Sequence, residues 1–260
     1  MLRRLRMGVL NLLLGIIDRV KIKGLSRQLE VDKYAKVHRT ESLLYALVYL
    51  NVSKSDSLRD LHSVLESNSY LRRICRFQCA ISLSQLSRDN NGTDPMFFAG
   101  VMENLIEKAK SLGIFKRGSA RSRLRTVSVD GMFIRLNKAV YEFAGKGYSA
   151  MDKGIVYGAK VHTALFDRFL PIAISVTSGD VHDSVEFEGL MDRVLYWLSS
   201  KAVVFVMDKA YYSFDRFQAL VDRGIDFISP MKANGLSVGR ITAILSPPMG
   251  RVVGDFVYFN

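Results

Sequence analysis

Ala202-Val-Val-Phe-Val-Met-Asp-Lys-Ala-Tyr-Tyr212 is the stretch on which the fold turns. Six hydrophobic residues in a row, rich in valine, predict a buried strand, and a helix-like segment follows. Asp208 sits at the strand's tip. A carboxylate there is costly to desolvate unless something pairs with it. Thr126-Val-Ser-Val-Asp-Gly-Met-Phe-Ile134 sets Asp130 in a similar frame. Two strand-borne aspartates in one α/β domain point to a site for hard cations such as Mg²⁺, which take oxygen ligands.

Working outward, the pattern from residue 126 is α/β. Strands are predicted at Thr126–Leu136, Gly154–Phe166 and Phe169–Thr177, the last two joined through a tight turn at Asp167-Arg168. Asp183-Ser-Val-Glu186 resembles a capping box opening a helix that runs to about Leu198. A strand at Ala202–Asp208, a helix at Ser213–Arg223 closed by Gly224, and a short strand at Ile225–Ser229 complete the set. This order matches a ribonuclease H-like layout. In such a sheet the first and fourth strands are neighbours, so Asp130 and Asp208 are expected to converge.

Residues 1–115 read as a mainly helical, basic DNA-binding region. Helices are predicted at Glu41–Leu50, Ser55–Leu65, Ser82–Arg88 and Phe97–Leu112, the last ended by Gly113. They form either a helix-turn-helix reader or a plain bundle. Residues 116–125 are a basic linker carrying Lys116, Arg117, Arg121, Arg123 and Arg125. It is either a solvated connector or a phosphate-contacting segment leading into the Asp130 strand. Residues 126–260 form the α/β domain.

Charge separates the same halves. Residues 1–129 hold 23 Lys/Arg against 11 Asp/Glu, whereas residues 130–260 hold 14 of each. The whole excess of +12 therefore lies in front. This fits a DNA-binding front half joined to a neutral catalytic half. Cys75 and Cys79 cannot build a disulfide framework, so a reducing compartment is expected. Their spacing predicts one face of a helix and a structural, buried role. At the N-terminus the apolar run Met7–Ile17 is too short to span a bilayer and lacks a small-residue cleavage site, so it reads as an amphipathic or buried helix and no membrane association is expected.

The ordered segments Val129-Asp-Gly-Met-Phe133, Gly158-Ala-Lys-Val-His-Thr163, Leu170-Pro-Ile-Ala173, Gly179-Asp-Val-His-Asp-Ser184 and Val206-Met-Asp-Lys-Ala-Tyr-Tyr212 resemble DDE-class insertion-sequence transposases, in particular the insertion-sequence-four (IS-four) group. Ser57-Leu-Arg-Asp-Leu61 and Ile81-Ser-Leu-Ser-Gln-Leu86 resemble that group's N-terminal region. The resemblance implies a ribonuclease H-like catalytic domain behind a helical N-terminal domain. It implies that Asp130 and Asp208 are catalytic and hold two Mg²⁺ or Mn²⁺ ions. The implied activity is hydrolysis at the element's ends, followed by attack of a 3′-hydroxyl on target DNA. The implied partners are double-stranded DNA, both element ends and target, and further copies of the chain. The implied location is the cytoplasm, with the nucleoid. Lys209 and Tyr211 follow the second aspartate as in the family, and either touch phosphate or pack beside the strand. His162 reads as hairpin packing and Asp183 as a helix cap.

One departure matters. The family's third acid is a glutamate on a later Tyr/Arg/Glu/Lys helix, and that signature is not found. The chain is accordingly expected to be C-terminally incomplete and unable to transpose alone, and strand transfer by it with Mg²⁺ would overturn this expectation. The alternative is a catalytically dead DNA-binding remnant that represses transposition.

Overall fold

The computed structural model describes residues 2–115, 125–149, 153–198, 203–230, 250–253 and 256–259. The chain divides into two compact units, Met1–Ile114 and Phe115–Asn260.

The first unit is helical: α1 (Leu2–Ile16), α2 (Arg19–Gln28), α3 (Thr40–Ser53), α4 (Leu58–Ser67), α5 (Ser69–Ile74), α6 (Leu83–Gly92) and α7 (Pro95–Ser111). Its helix starts are written in the sequence. Asp18, Ser57, Asn68, Ser82 and Asp94 each accept a hydrogen bond from a first-turn backbone N–H. Such bonds satisfy donors that the helix itself leaves open. Pro95 opens α7, where its missing N–H costs nothing. Gly113 takes φ 77° just beyond the α7 end, a conformation that glycine adopts without strain. The predicted helical spacing of α4 is realised, with Leu61 and Leu65 buried in one hydrophobic cluster with Tyr45, Leu71 and Phe97. No helix among the described residues is long and apolar enough to cross a membrane.

The cysteine expectation needs correction. Cys75 caps the end of α5 and is buried, whereas Cys79 is exposed beyond it. The helix stops between them: Arg76 takes φ 64°, so the i, i+4 register never forms.

The second unit is a mixed sheet with helices. Its elements are β1 (Arg125–Arg135), β2 (Gly145–Ser149), β3 (Gly154–Phe166), β4 (Leu170–Ser178), α8 (Asp183–Trp197), β5 (Val203–Met207), a 3-10 turn (Lys209–Tyr211), α9 (Phe214–Asp222), β6 (Asp226–Pro230), β7 (Gly250–Val253) and β8 (Phe256–Phe259). The strand order is β2-β3-β1-β5-β6-β8-β7, with β4 also paired to β3. β1 is antiparallel to β3 and parallel to β5, and β5 is parallel to β6. Antiparallel β3 and β4 need only a tight turn, whereas the parallel pairs need the crossovers through α8 and α9.

The turn at Asp167-Arg168 has φ of 48° and 70°, both left-handed, which matches the twist of a two-residue hairpin. Two bonds offset that strain. The Asp167 carboxylate accepts from Arg125 Nη1 at 2.5 Å and from Thr126 N at 3.2 Å, fastening the turn to the start of β1. Strand β2 was not predicted; Gly145-Lys-Gly147 gives it little strand character. Its glycines are required by packing. A Cβ on Gly147 would lie 2.2 Å from the Phe133 ring, and one on Gly158 of β3, the partner of Gly145, would lie 2.2 Å from the Ile134 carbonyl.

Candidate active site

The parallel register between β1 and β5 pairs Val129 with Met207. The next residues on the two strands are Asp130 and Asp208, and both are exposed. Neighbouring strands lie about 4.8 Å apart, so Asp130, within β1, and Asp208, just past the end of β5, lie side by side on two adjacent interior strands. The Asp130 carboxylate also accepts a hydrogen bond from Gly131 N at 2.8 Å.

A third carboxylate faces this pair. Asp183 opens α8, and its Oδ1 lies 3.0 Å from Lys160 Nζ. A Cβ built on Gly131 would sit 3.5 Å from the Asp183 carboxyl group and 3.5 Å from His162 Nδ1. Asp183 is therefore draped over the residue next to Asp130. Lys160 is also held by the Val181 carbonyl, to which its Nζ donates at 2.7 Å.

Two buried polar side chains lie under these acids. Tyr211 is 1% exposed, packs its ring on Phe187 of α8, and has no hydrogen-bond partner for its hydroxyl. Burial, reinforced by the negative charge of Asp183, Asp130 and Asp208, raises its phenol well above the ordinary value. His162 is fully buried; its Nε2 lies 2.9 Å from Thr177 Oγ1, while Nδ1 has no partner. Burial lowers its imidazole below the ordinary histidine value, against the opposing pull of Asp183 and Glu186. Arg216 joins the surrounding elements. Its guanidinium donates to the Tyr211 carbonyl at 2.7 Å and the Ser184 carbonyl at 2.8 Å, and lies 5.3 Å from the Phe187 ring centroid.

Several sequence expectations change here. Asp183 is not the cap of α8. His182 caps it, with Nδ1 accepting from Ser184 N at 3.2 Å. The expected capping-box partner, Glu186, instead accepts from Ser175 Oγ at 2.6 Å. Tyr211, expected as a DNA contact, is inside the protein, because its ring fills the space between the 3-10 turn and α8. Arg125 is engaged by Asp167 and the Phe166 ring rather than presented to a phosphate. Lys116, Arg117, Arg121, Arg123 and the Lys209 side chain lie outside the described residues. His162 does pack in the hairpin, between β3 and β4. Reading the sequence alone missed Lys160 and Arg216, whose roles rest on contacts to backbone far away along the chain. The only local signal was that both are basic residues inside a predicted strand and a predicted helix.

Among the described residues, no group of three or more His, Cys, Asp or Glu side chains is close enough to hold a metal ion by itself. The exposed donors here, the Asp130 and Asp208 carboxylates, are nonetheless oxygens, the chemistry that suits a hard divalent cation.

Comparison with known families bears on the same region. No curated protein matches the chain. Residues 6–71 match the family described as Domain of unknown function (DUF4372), a span running from α1 into α5. Residues 121–236 match the family described as Transposase DDE domain, a span that holds Asp130, Asp183 and Asp208. The transposase-domain match falls within the sheet unit and supports a transposase role for it.

Proposed function

We propose that the protein is a DDE transposase of the IS-four group, with a ribonuclease H-like catalytic domain, that binds the ends of an insertion sequence and cuts and joins DNA with a divalent metal. The observation that carries this reading is the β1–β5 register, which sets Asp130, in the middle of β1, beside Asp208, the residue just past β5, both exposed. The strand order β4-β3-β1-β5-β6, antiparallel on one side of β1 and parallel on the other, supports the ribonuclease H-like assignment.

In this reading Asp130 and Asp208 hold Mg²⁺ or Mn²⁺. When bound, the ions activate an attacking oxygen and stabilise a leaving oxygen in an in-line displacement. The chain's own contribution is to fix the two carboxylates by sheet register, so their spacing is set before DNA arrives. Their exposure gives a phosphodiester access to them. The excess positive charge of residues 1–129 draws the DNA backbone by neutralising phosphates. Lys116, Arg117, Arg121, Arg123 and Lys209 are proposed phosphate contacts. The protein works on paired element ends as a homo-oligomer.

The test uses DNA carrying the element's terminal sequences, incubated with the chain and Mg²⁺ or Mn²⁺. Metal-dependent release of a 3′-hydroxyl at the element end, lost in Asp130→Asn and in Asp208→Asn, is the expected signature. Cutting that ignores both substitutions would refute the site. Salt-sensitive binding to the ends without any nicking is the outcome expected of the DNA-binding remnant.

A further inference from the structure

Three features at this site remain unexplained by two aspartates. Asp183 projects over Gly131, beside Asp130, with Lys160 as its only ion-pair partner among the described residues. Its Oδ1 is buried and meets Lys160 without hydrogen-bond geometry, so the pair is held by charge alone. Beneath it, the Tyr211 hydroxyl and His162 Nδ1 are buried without partners. A buried polar atom with nothing to bond is costly, at about 1–3 kcal/mol in general, and is retained where something else supplies the partner. Neither orphan is remote from the acids: His162 Nδ1 lies as close to the Gly131 position as the Asp183 carboxyl does.

A helix start would account for Asp183 if Asp183 were the cap, but His182 fills that role. An ordinary structural ion pair would account for Lys160 if the lysine depended on Asp183. Lys160 is, however, already anchored by the Val181 carbonyl, which leaves its charge in place whether or not Asp183 stays.

We propose that Asp183 is the third acidic group of this site and that Lys160 is its exchangeable counter-ion. The inference rests on the reading of Asp130 and Asp208 as metal-holding. In the metal-free chain Lys160 balances the Asp183 charge. With a divalent cation at Asp130 and Asp208, Asp183 turns its negative charge to that cation, and Lys160 stays on Val181. The exchange needs no backbone movement, because Asp183 already overhangs Gly131.

The test is Mn²⁺ binding to the full chain without DNA, read from the loss of the free-ion electron paramagnetic resonance signal. Asp183→Asn is expected to weaken binding about tenfold or more, the usual scale for a carboxylate that tunes a metal site. Lys160→Gln, which keeps a donor for the Val181 carbonyl but removes the competing charge, is expected to tighten binding severalfold. Asp192→Asn on the same helix, whose partner is Arg223, serves as the control and should leave it unchanged. Wild-type affinity in Asp183→Asn overturns the inference. Unchanged or weaker binding in Lys160→Gln overturns the exchange, whatever becomes of Asp183→Asn. The underlying site is scored separately: if Asp130→Asn and Asp208→Asn both bind Mn²⁺ like wild type, the site reading itself falls.

Discussion

The helical unit and the sheet unit each bring acidic groups close to buried polar ones, and they treat them in opposite ways. In the helical unit Glu41 is buried at the start of α3 and has three partners on its Oε1. It lies 2.9 Å from Arg19 Nε and 3.4 Å from Arg76 Nε, and it accepts from the Tyr45 hydroxyl at 3.0 Å. The Tyr45 phenol is correspondingly pushed up to about 12, mainly by burial and then by its bond to Glu41. In the sheet unit the Tyr211 phenol is also buried beside carboxylates, yet its hydroxyl bonds to nothing. A structural acid closes its network, because each unmet buried group lowers stability. A site meant to receive a ligand leaves atoms unmet until the ligand arrives.

The comparison predicts a split between activity and stability. Asp130→Asn or Asp208→Asn should lower any metal-dependent nicking about a hundredfold or more, since metal polarisation supplies several kcal/mol of transition-state stabilisation. Neither change should lower the thermal midpoint, because both side chains are exposed. Glu41→Ala should do the reverse in the helical unit. It strands the Tyr45 hydroxyl and two guanidinium groups, for a loss of about 2–3 kcal/mol in urea unfolding. That is less than a fully buried pair would lose, because Arg19 and Arg76 are each more than two-fifths exposed. An inert Glu41→Ala would erase the contrast.

Packing gives a smaller effect. Gly158→Ala pushes a methyl group into the Ile134 carbonyl and the Phe133 ring, and should cost about 2 kcal/mol by overpacking. Equal stability would mean that β1 and β3 can separate there, and the spacing of the site would be softer than the register implies. Ser57→Ala removes a cap from α4 and should cost about 1 kcal/mol. Last, alkylation of the native chain should modify exposed Cys79 and spare Cys75, whose thiol burial pushes up to about 12. Equal reactivity would show that the α4–α5 region opens readily.

Strand and helix positions around the site were legible in the sequence because they rest on local periodicity. Gly154–Phe166 is a strand over its full predicted length, and the strand ending at Asp208 and helix α8 begin or end within a residue or so of expectation. A hydrophobic run ending in Asp also singled out Asp208, and a second strand-like run holding Asp130 within it completed the pair. Strand β2 was not legible, because Gly147 must clear Phe133 and Gly145 must clear Ser178 and Asp180, all more than ten residues away.

By itself the sequence determined the order of the elements around the site, the charge division between the halves and the two strand-borne aspartates, since these depend on neighbours along the chain. Tertiary structure alone decided that Asp183 leans over Gly131 towards Lys160, that His182 rather than Asp183 caps α8, and that Tyr211 lies inside. Each of those outcomes depends on groups brought together by strand register and helix docking, and side-chain electrostatics acts through space rather than along the sequence.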